Sequence, residues 1–179
     1  TTPAAWNDPV RGGELTPNFS ARDLWVHSNA TAAISKALAD TLKLGFSDEA
    51  FLGGLIHDIG VMVEMQYDRN KLIEVIEQVG ADSKGVPAND MIALEEEHYH
   101  ADHQGFGAAL CEKWKFPKSF GLVTGYHHRP LEVARENRTL VCVVHAADKL
   151  AEQEANKTEV AKAIAELRAF VGELQKRPD

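Results

Sequence analysis

Apolar residues recur along this chain at three- and four-residue intervals, and no stretch alternates convincingly between apolar and polar positions. The first period belongs to amphipathic helices, and half-buried strands need a period of two. Ser20-Ala21-Arg22-Asp23 has the form of a capping box, with an acid three residues after the N-cap. A helix is predicted from there to about Leu44, stopped by Gly45. Ser47-Asp48-Glu49 opens a second helix that carries Phe51, Leu52, Leu55 and Ile56 up to His57-Asp58. Further helices are predicted over 61–67 and 71–79, the latter ended by Gly80, before a polar loop over 81–89.

Asn89 or Asp90 caps the next helix, which contains Glu95, Glu96 and Glu97. Residues 101–115 follow with a small-residue face and stop at Phe116-Pro117, and 119–128 form a short helix broken by Pro130. A long helix over about 137–154 and a last amphipathic one over about 158–174 complete the pattern. The expectation is an all-α fold, a compact bundle of about seven to nine helices. Residues 1–19 read as an extended segment or linker, and 20–179 as one helical domain with its core at about 20–155.

Composition narrows the classes. A chain of 179 residues suffices for one domain with a real core. No apolar run approaches the ~20 residues that span a bilayer, and the start of the chain lacks a signal peptide, so a cytoplasmic protein without membrane partners is expected. A first residue that is Thr, not Met, suggests a processed chain or an excised fragment. The net charge of −8 argues against a nucleic-acid polymer as partner. Cys111 and Cys142, in apolar helical contexts, read as buried reduced thiols. Trp25, Trp114 and Phe116 are taken as core or helix-packing anchors, and the run Glu95–Glu97 as a solvated face with His98 and His100 exposed beside it.

The histidines add candidate chemistry. Asp23 and His27 are four residues apart and share a helix face. His103 opens a helix, and His127-His128 closes one. Asp148 sits among Ala146, Ala147, Leu150 and Ala151, where a solitary carboxylate is costly to bury. His145, on the same face, is either a partner to the site or a satisfied core histidine. Neighbours such as His57 and Asp58 diverge by about 100° on a helix. They meet at one ion only where the helix ends, and Gly60 is expected to provide that turn. Imidazole with carboxylate suits Fe, Mn, Zn, Ni or Co.

His27, His57-Asp58, His103, His127-His128 and Asp148, in that order on separate helices, resemble the HD superfamily of metal-dependent phosphohydrolases. The finer resemblance is to its HDOD subgroup, the HD-related output domains of bacterial signalling proteins. It rests on Leu24-Trp25-Val26-His27-Ser28, on the stretch from Phe51 through His57-Asp58-Ile59-Gly60, on Asp102-His103-Gln104-Gly105-Phe106-Gly107-Ala108, on Trp114-Lys115-Phe116-Pro117 and on His127-His128-Arg129-Pro130. The resemblance implies His27, His57, Asp58 and Asp148 as ligands of the basic site. It implies His103, His127 and His128 as the extra ligands of two- and three-metal members, with Asp23 at the place of an acidic ligand.

Two departures bear on activity. Cyclic di-GMP phosphodiesterases of the superfamily carry a lysine where this chain has Val61, and their Gly-Tyr-Pro signature after the paired histidines is missing. The resemblance therefore implies a signal-transduction output domain with one to three divalent metals, working through signalling protein partners or a linked sensor or receiver domain. A small nucleotide ligand in the metal pocket belongs to the same expectation. The alternative is an active phosphohydrolase on a nucleotide or cyclic dinucleotide. There Asp58 would serve the reaction, and Lys149, Arg129 or Arg22 would neutralise phosphate charge.

Overall fold

A computed structural model of the chain describes residues 14–16, 19–80 and 87–152. Among them, eight α-helices follow one short hairpin: β1 (Glu14–Thr16), β2 (Phe19–Ser20), α1 (Ala21–Thr41), α2 (Ser47–Ile56), α3 (Ile59–Tyr67), α4 (Arg69–Val79), α5 (Met91–Tyr99), α6 (His103–Lys113), α7 (Lys118–Tyr126) and α8 (Arg138–Glu152). The all-α expectation holds. The expected helix over 158–174 and most of the 1–19 segment lie outside the described residues.

The antiparallel hairpin corrects the expectation of no strand. Elements of three and two residues are too short to display a period of two, so the pattern could not reveal them. Leu15 is buried by this hairpin with Leu24, Val61 and Leu72.

Caps explain where the helices begin. Ser20 Oγ accepts from the Asp23 amide at 3.2 Å, as the capping box requires. Asp68, Asp90 and Asp102 cap α4, α5 and α6 in the same manner. No described helix is long and apolar enough to cross a membrane.

Helix α1 packs against α2 on one side and α8 on the other, while α3 leans on α6 and α6 on α7. Ala39, Ala50, Val123, Val141, Val143 and Val144 form the larger core, and the smaller one lies under the hairpin. Two glycines set the close approaches. A Cβ at Gly54 would stand 2.8 Å from the Ala32 Cα, so α2 can lie directly on α1. A Cβ at Gly60 would stand 1.7 Å from the His103 carbonyl oxygen, so α3 touches the first turn of α6. These contacts bring His57-Asp58, between α2 and α3, against His27 and His103.

The tryptophans correct the sequence reading. Trp25 is 61% exposed and Trp114 57%, and Phe116 also lies at the surface in edge contact with Trp114. The helix that carries Trp25 buries mainly small residues instead: α1 turns Ser28, Thr31, Ala32 and Ser35 inward. Cys111 is buried and Cys142 partly so, both as free thiols.

Candidate metal centre

The break between α2 and α3 is where the site starts. His57 keeps helical backbone angles, and Asp58 departs from them at φ −96° and ψ 19°. These are ordinary angles for any residue, so the turn does not depend on Gly60, contrary to the sequence reading. Gly60 sits inside α3 and serves the contact with His103.

His27 on α1, Asp148 on α8 and the His57-Asp58 corner converge. His27 Nε2 lies 3.2 Å from His57 Nε2, 3.0 Å from Asp148 Oδ1 and 3.6 Å from Asp58 Oδ2. His57 Nε2 lies 3.2 Å from Asp58 Oδ2 and 3.4 Å from Asp148 Oδ1. A second group forms on the other oxygen of Asp58. Its Oδ1 stands 3.2 Å from His127 Nε2 and 3.8 Å from His103 Nε2. His128 Nε2 lies 3.2 Å from His103 Nε2. The residues of that group can offer ligand atoms within 4.8 Å of one another.

Partners on the far side of each ring fix which nitrogen faces inward, and the tautomers follow from these partner atoms. His57 Nδ1 donates to the Gly54 carbonyl at 2.7 Å. His127 Nδ1 points at the Thr124 and Val123 carbonyls at 3.2 and 3.3 Å. His103 Nδ1 donates to Glu95 Oε2 at 2.7 Å. All three rings therefore present Nε2, the lone-pair atom a metal uses, to the centre.

Without a metal, the pKa values in the cluster are set by burial against the neighbouring carboxylates. Burial opposes a charge on His57, yet Asp58 and Asp148 raise it to about 10. His103, equally buried, is raised to about 9, chiefly by Glu95. Burial and its neighbours His127 and His103 push His128 down to about 2, and burial lowers His127 as well. Burial works against the charges of Asp58 and Asp148, but the surrounding imidazoles hold both well below the usual carboxylate range.

The donor set fits divalent metal ions. Ligand bonds of about 2.1 Å place neighbouring ligand atoms about 3.0–3.4 Å apart in tetrahedral or octahedral geometry. In the first group the His27 and His57 Nε2 atoms lie 3.0–3.6 Å from each other and from the Asp58 and Asp148 oxygens. His127 Nε2 is fully buried and 3.2 Å from Asp58 Oδ1, yet not aligned for a hydrogen bond with it. Atoms gathered in this way suit a shared cation better than a shared proton.

A cavity of about 490 Å³ opens onto both groups, lined among others by His27, Asp58, His103, His128 and Asp148. Lys149 and Glu152 stand on its wall with Asp23, beside the apolar Phe19, Leu24, Val61, Met91 and Ile92. Asp23 belongs to neither ligand group; it is exposed and accepts from the Ser20 hydroxyl at 2.6 Å. Lys149 lies 2.7 Å from Glu152 and 3.6 Å from Asp148. Arg129 turns away to Asp102 at 3.0 Å, where it braces the cap of α6, and Arg22 is exposed. His145 donates to the His127 carbonyl at 2.7 Å, which makes it a support of the centre. His98 is partly buried between Glu74 and Gln78, and His100 is exposed at the end of α5.

Two buried acids escaped the sequence reading. Glu95, expected on a solvated face, is fully buried and accepts from both the His103 amide, at 3.0 Å, and its ring. It lies four residues from Met91 and from Tyr99, so helix periodicity places it on their buried face. Glu64 is also fully buried, and burial with the nearby Glu95 charge raises it to about 8. The reasoning that singled out Asp148, a lone carboxylate in an apolar helix, applies equally to Glu64 among Val61, Met62, Val63 and Met65.

Comparison with known proteins follows the same lines. The family model described as HDOD domain matches residues 4–130. No curated protein matches the chain. Among solved structures, a protein from Shewanella amazonensis SB2B, provisionally named a phosphohydrolase, is 23% identical with a TM-score of 0.68 over 86% of this chain and 55% of its own. An HDOD domain protein of unknown function from Geobacter sulfurreducens is 21% identical with a TM-score of 0.62, over 85% of this chain and 57% of its own. The MmoQ response regulator from Methylococcus capsulatus is 20% identical with a TM-score of 0.63, over 86% and 57%. The chain thus spans little more than half of each of these proteins, and likeness at such identity concerns the fold alone.

Proposed function

This chain belongs to the HDOD domain family, and on that premise we propose that it is a bacterial, cytoplasmic signalling output module whose histidine and aspartate side chains hold two divalent metal ions. The observation that carries this reading is the position of Asp58, which offers Oδ2 to the group of His27, His57 and Asp148 and Oδ1 to the group of His103, His127 and His128. A carboxylate shared in this way is what a two-metal centre needs.

The output would be read from the cavity. Its volume of about 490 Å³ is in the range of small-molecule sites and suits a small nucleotide. Phe19, Leu24, Met91 and Ile92 provide an apolar wall for a base, and Lys149 provides the positive charge for a phosphate. A signalling partner or linked receiver domain would respond to the filled cavity.

The second reading, hydrolysis of a phosphate ester, is favoured by one observation: the cavity reaches both ligand groups. A metal pair bound there would bring the pKa of a water towards neutrality and polarise a phosphate. Lys149 would orient the phosphate, and the apolar wall would exclude bulk water. Val61 leaves that charge to Lys149 alone among the lysines lining the cavity, so binding is better supported than turnover.

The test is elemental analysis of chain purified without chelator, expected to yield about two metal equivalents. A metal-free chain that also takes up no Mn, Fe, Zn, Ni or Co would refute the centre. Turnover of a nucleotide panel by the loaded protein, lost in His57→Ala, would establish the second reading over the first.

A further inference from the structure

We propose that Glu95 is the positioning residue that decides whether the second metal position is filled. This rests on the two-metal reading, and concerns how the two positions differ.

They differ in charge. The first group has two carboxylates, Asp58 and Asp148, with two imidazoles. The second has three imidazoles and only the shared Asp58. Glu95 supplies the missing negative charge one bond further out. Its Oε2 accepts from the His103 backbone amide at 3.0 Å and from the ring Nδ1 at 2.7 Å. Two donors on one residue fix the ring's rotation and its tautomer together. A carboxylate on the far nitrogen also makes an imidazole a stronger donor to a metal.

The other rings lack this support. The Nδ1 atoms of His57 and His127 face neutral carbonyls. Among the described residues, His103 alone of the ligand histidines has a carboxylate hydrogen-bonded to its outward nitrogen.

The brace is costly to keep, which argues that it is not a packing accident. Glu95 is fully buried and its Oε1 has no hydrogen bond among the described residues. Both oxygens of the equally buried Glu64 are in the same position. Apolar residues of similar volume would serve the fold at least as well. A group that burdens the fold and grips a single ligand histidine acts on what that histidine holds.

The experiment titrates the full chain with Co(II), following visible absorption and the bound metal by equilibrium dialysis. Wild type is expected to bind two equivalents. Glu95→Gln should keep the first within about twofold and weaken the second 10- to 100-fold, the range for loss of such a brace. Glu64→Gln removes a neighbouring buried acid that does not hold His103, and should leave both equivalents in place. The metal-free Glu95→Gln chain should melt at or above the wild-type temperature, which separates the effect from damage to the fold. Should the amide disturb folding, Glu95→Met gives the same reading with the buried charge removed.

Retention of both equivalents in Glu95→Gln and Glu95→Met would overturn the proposal, as would equal loss of both. An equal weakening in Glu64→Gln would overturn it too, since a general electrostatic effect would then suffice. A wild-type chain that binds two equivalents alongside such results leaves the metal centre standing and removes only the role of Glu95. A wild-type chain that binds none removes both.

Discussion

His57 Nε2 and Asp58 Oδ2 lie 3.2 Å apart, although side chains of consecutive helical residues point about 100° away from each other. The end of α2 resolves the conflict, because Asp58 leaves helical angles while His57 keeps them. Once turned, the Asp58 carboxylate reaches both ligand groups. Asp58→Ala should therefore lower metal content from about two equivalents to well below one, whereas His128→Ala, touching only the second group, should leave about one. Elemental analysis of the three chains checks this, and two equivalents remaining in Asp58→Ala would contradict the bridge.

Glu64 yields a pH prediction for the metal-free protein. Its folded pKa, about 8, lies above the ordinary 4.5. Folding thus favours the protonated acid, so its contribution is fully present below about pH 4.5 and is lost as pH rises to about 8. Glu64→Gln, which cannot ionise, should gain stability over wild type across that window, by on the order of 2–4 kcal/mol at its upper end. Urea unfolding with chelator at pH 5 and pH 8.5 measures the difference. A gap that does not widen with pH would show that Glu64 ionises freely.

What was legible in the sequence follows from which signals are local. The starts of α1 and α5 were readable because Ser20 and Asp90 cap through their own side chains. Asp148 was readable as a buried acid because its apolar neighbours surround it in sequence. Glu95 was hidden because Glu96 and Glu97 beside it are exposed, and a charge run conceals one inward member unless the helix phase is worked out. The surface positions of Trp25 and Trp114 were illegible for the opposite reason. Residue type suggested burial, but for Trp25 the close packing of α1 on α2 admits only small side chains such as Ala32 and Ser35, and Trp114 stands just past the end of α6. The role of Gly60 also needed the structure, since its neighbour His103 is distant in sequence.

Gly60→Ala tests that contact. The added methyl would fall 1.7 Å from the His103 carbonyl oxygen, and backbone cannot step aside as a flexible side chain can. Separation of α3 from α6 should cost about 3 kcal/mol or more, at the upper end of overpacking effects. It should also pull His103 away from Asp58 and weaken the second metal more than the first. Thermal melting and Co(II) titration together check both halves. A chain that melts normally would show that α3 and α6 are not pressed together there.

Val61 bears on how firmly the cavity holds phosphate. It is 3% exposed, packs with Leu24 and Leu72, and lines the cavity beside the ligand groups. Lys149 is held by Glu152 and Asp148, so much of its charge is already compensated. A lysine at position 61 would run its stem along the same apolar wall and bring a second ammonium into the cavity. Val61→Lys should therefore tighten inorganic phosphate binding by the metal-loaded chain about 10-fold or more, the worth of one charged hydrogen bond. It should also destabilise the metal-free chain by about 1–3 kcal/mol, since the wall it replaces is well packed. Lys149→Met in the wild-type background should weaken phosphate severalfold. Calorimetric titration with phosphate reads both variants, and equal affinity in all three chains would mean that anions do not bind where the cavity meets the ligand groups.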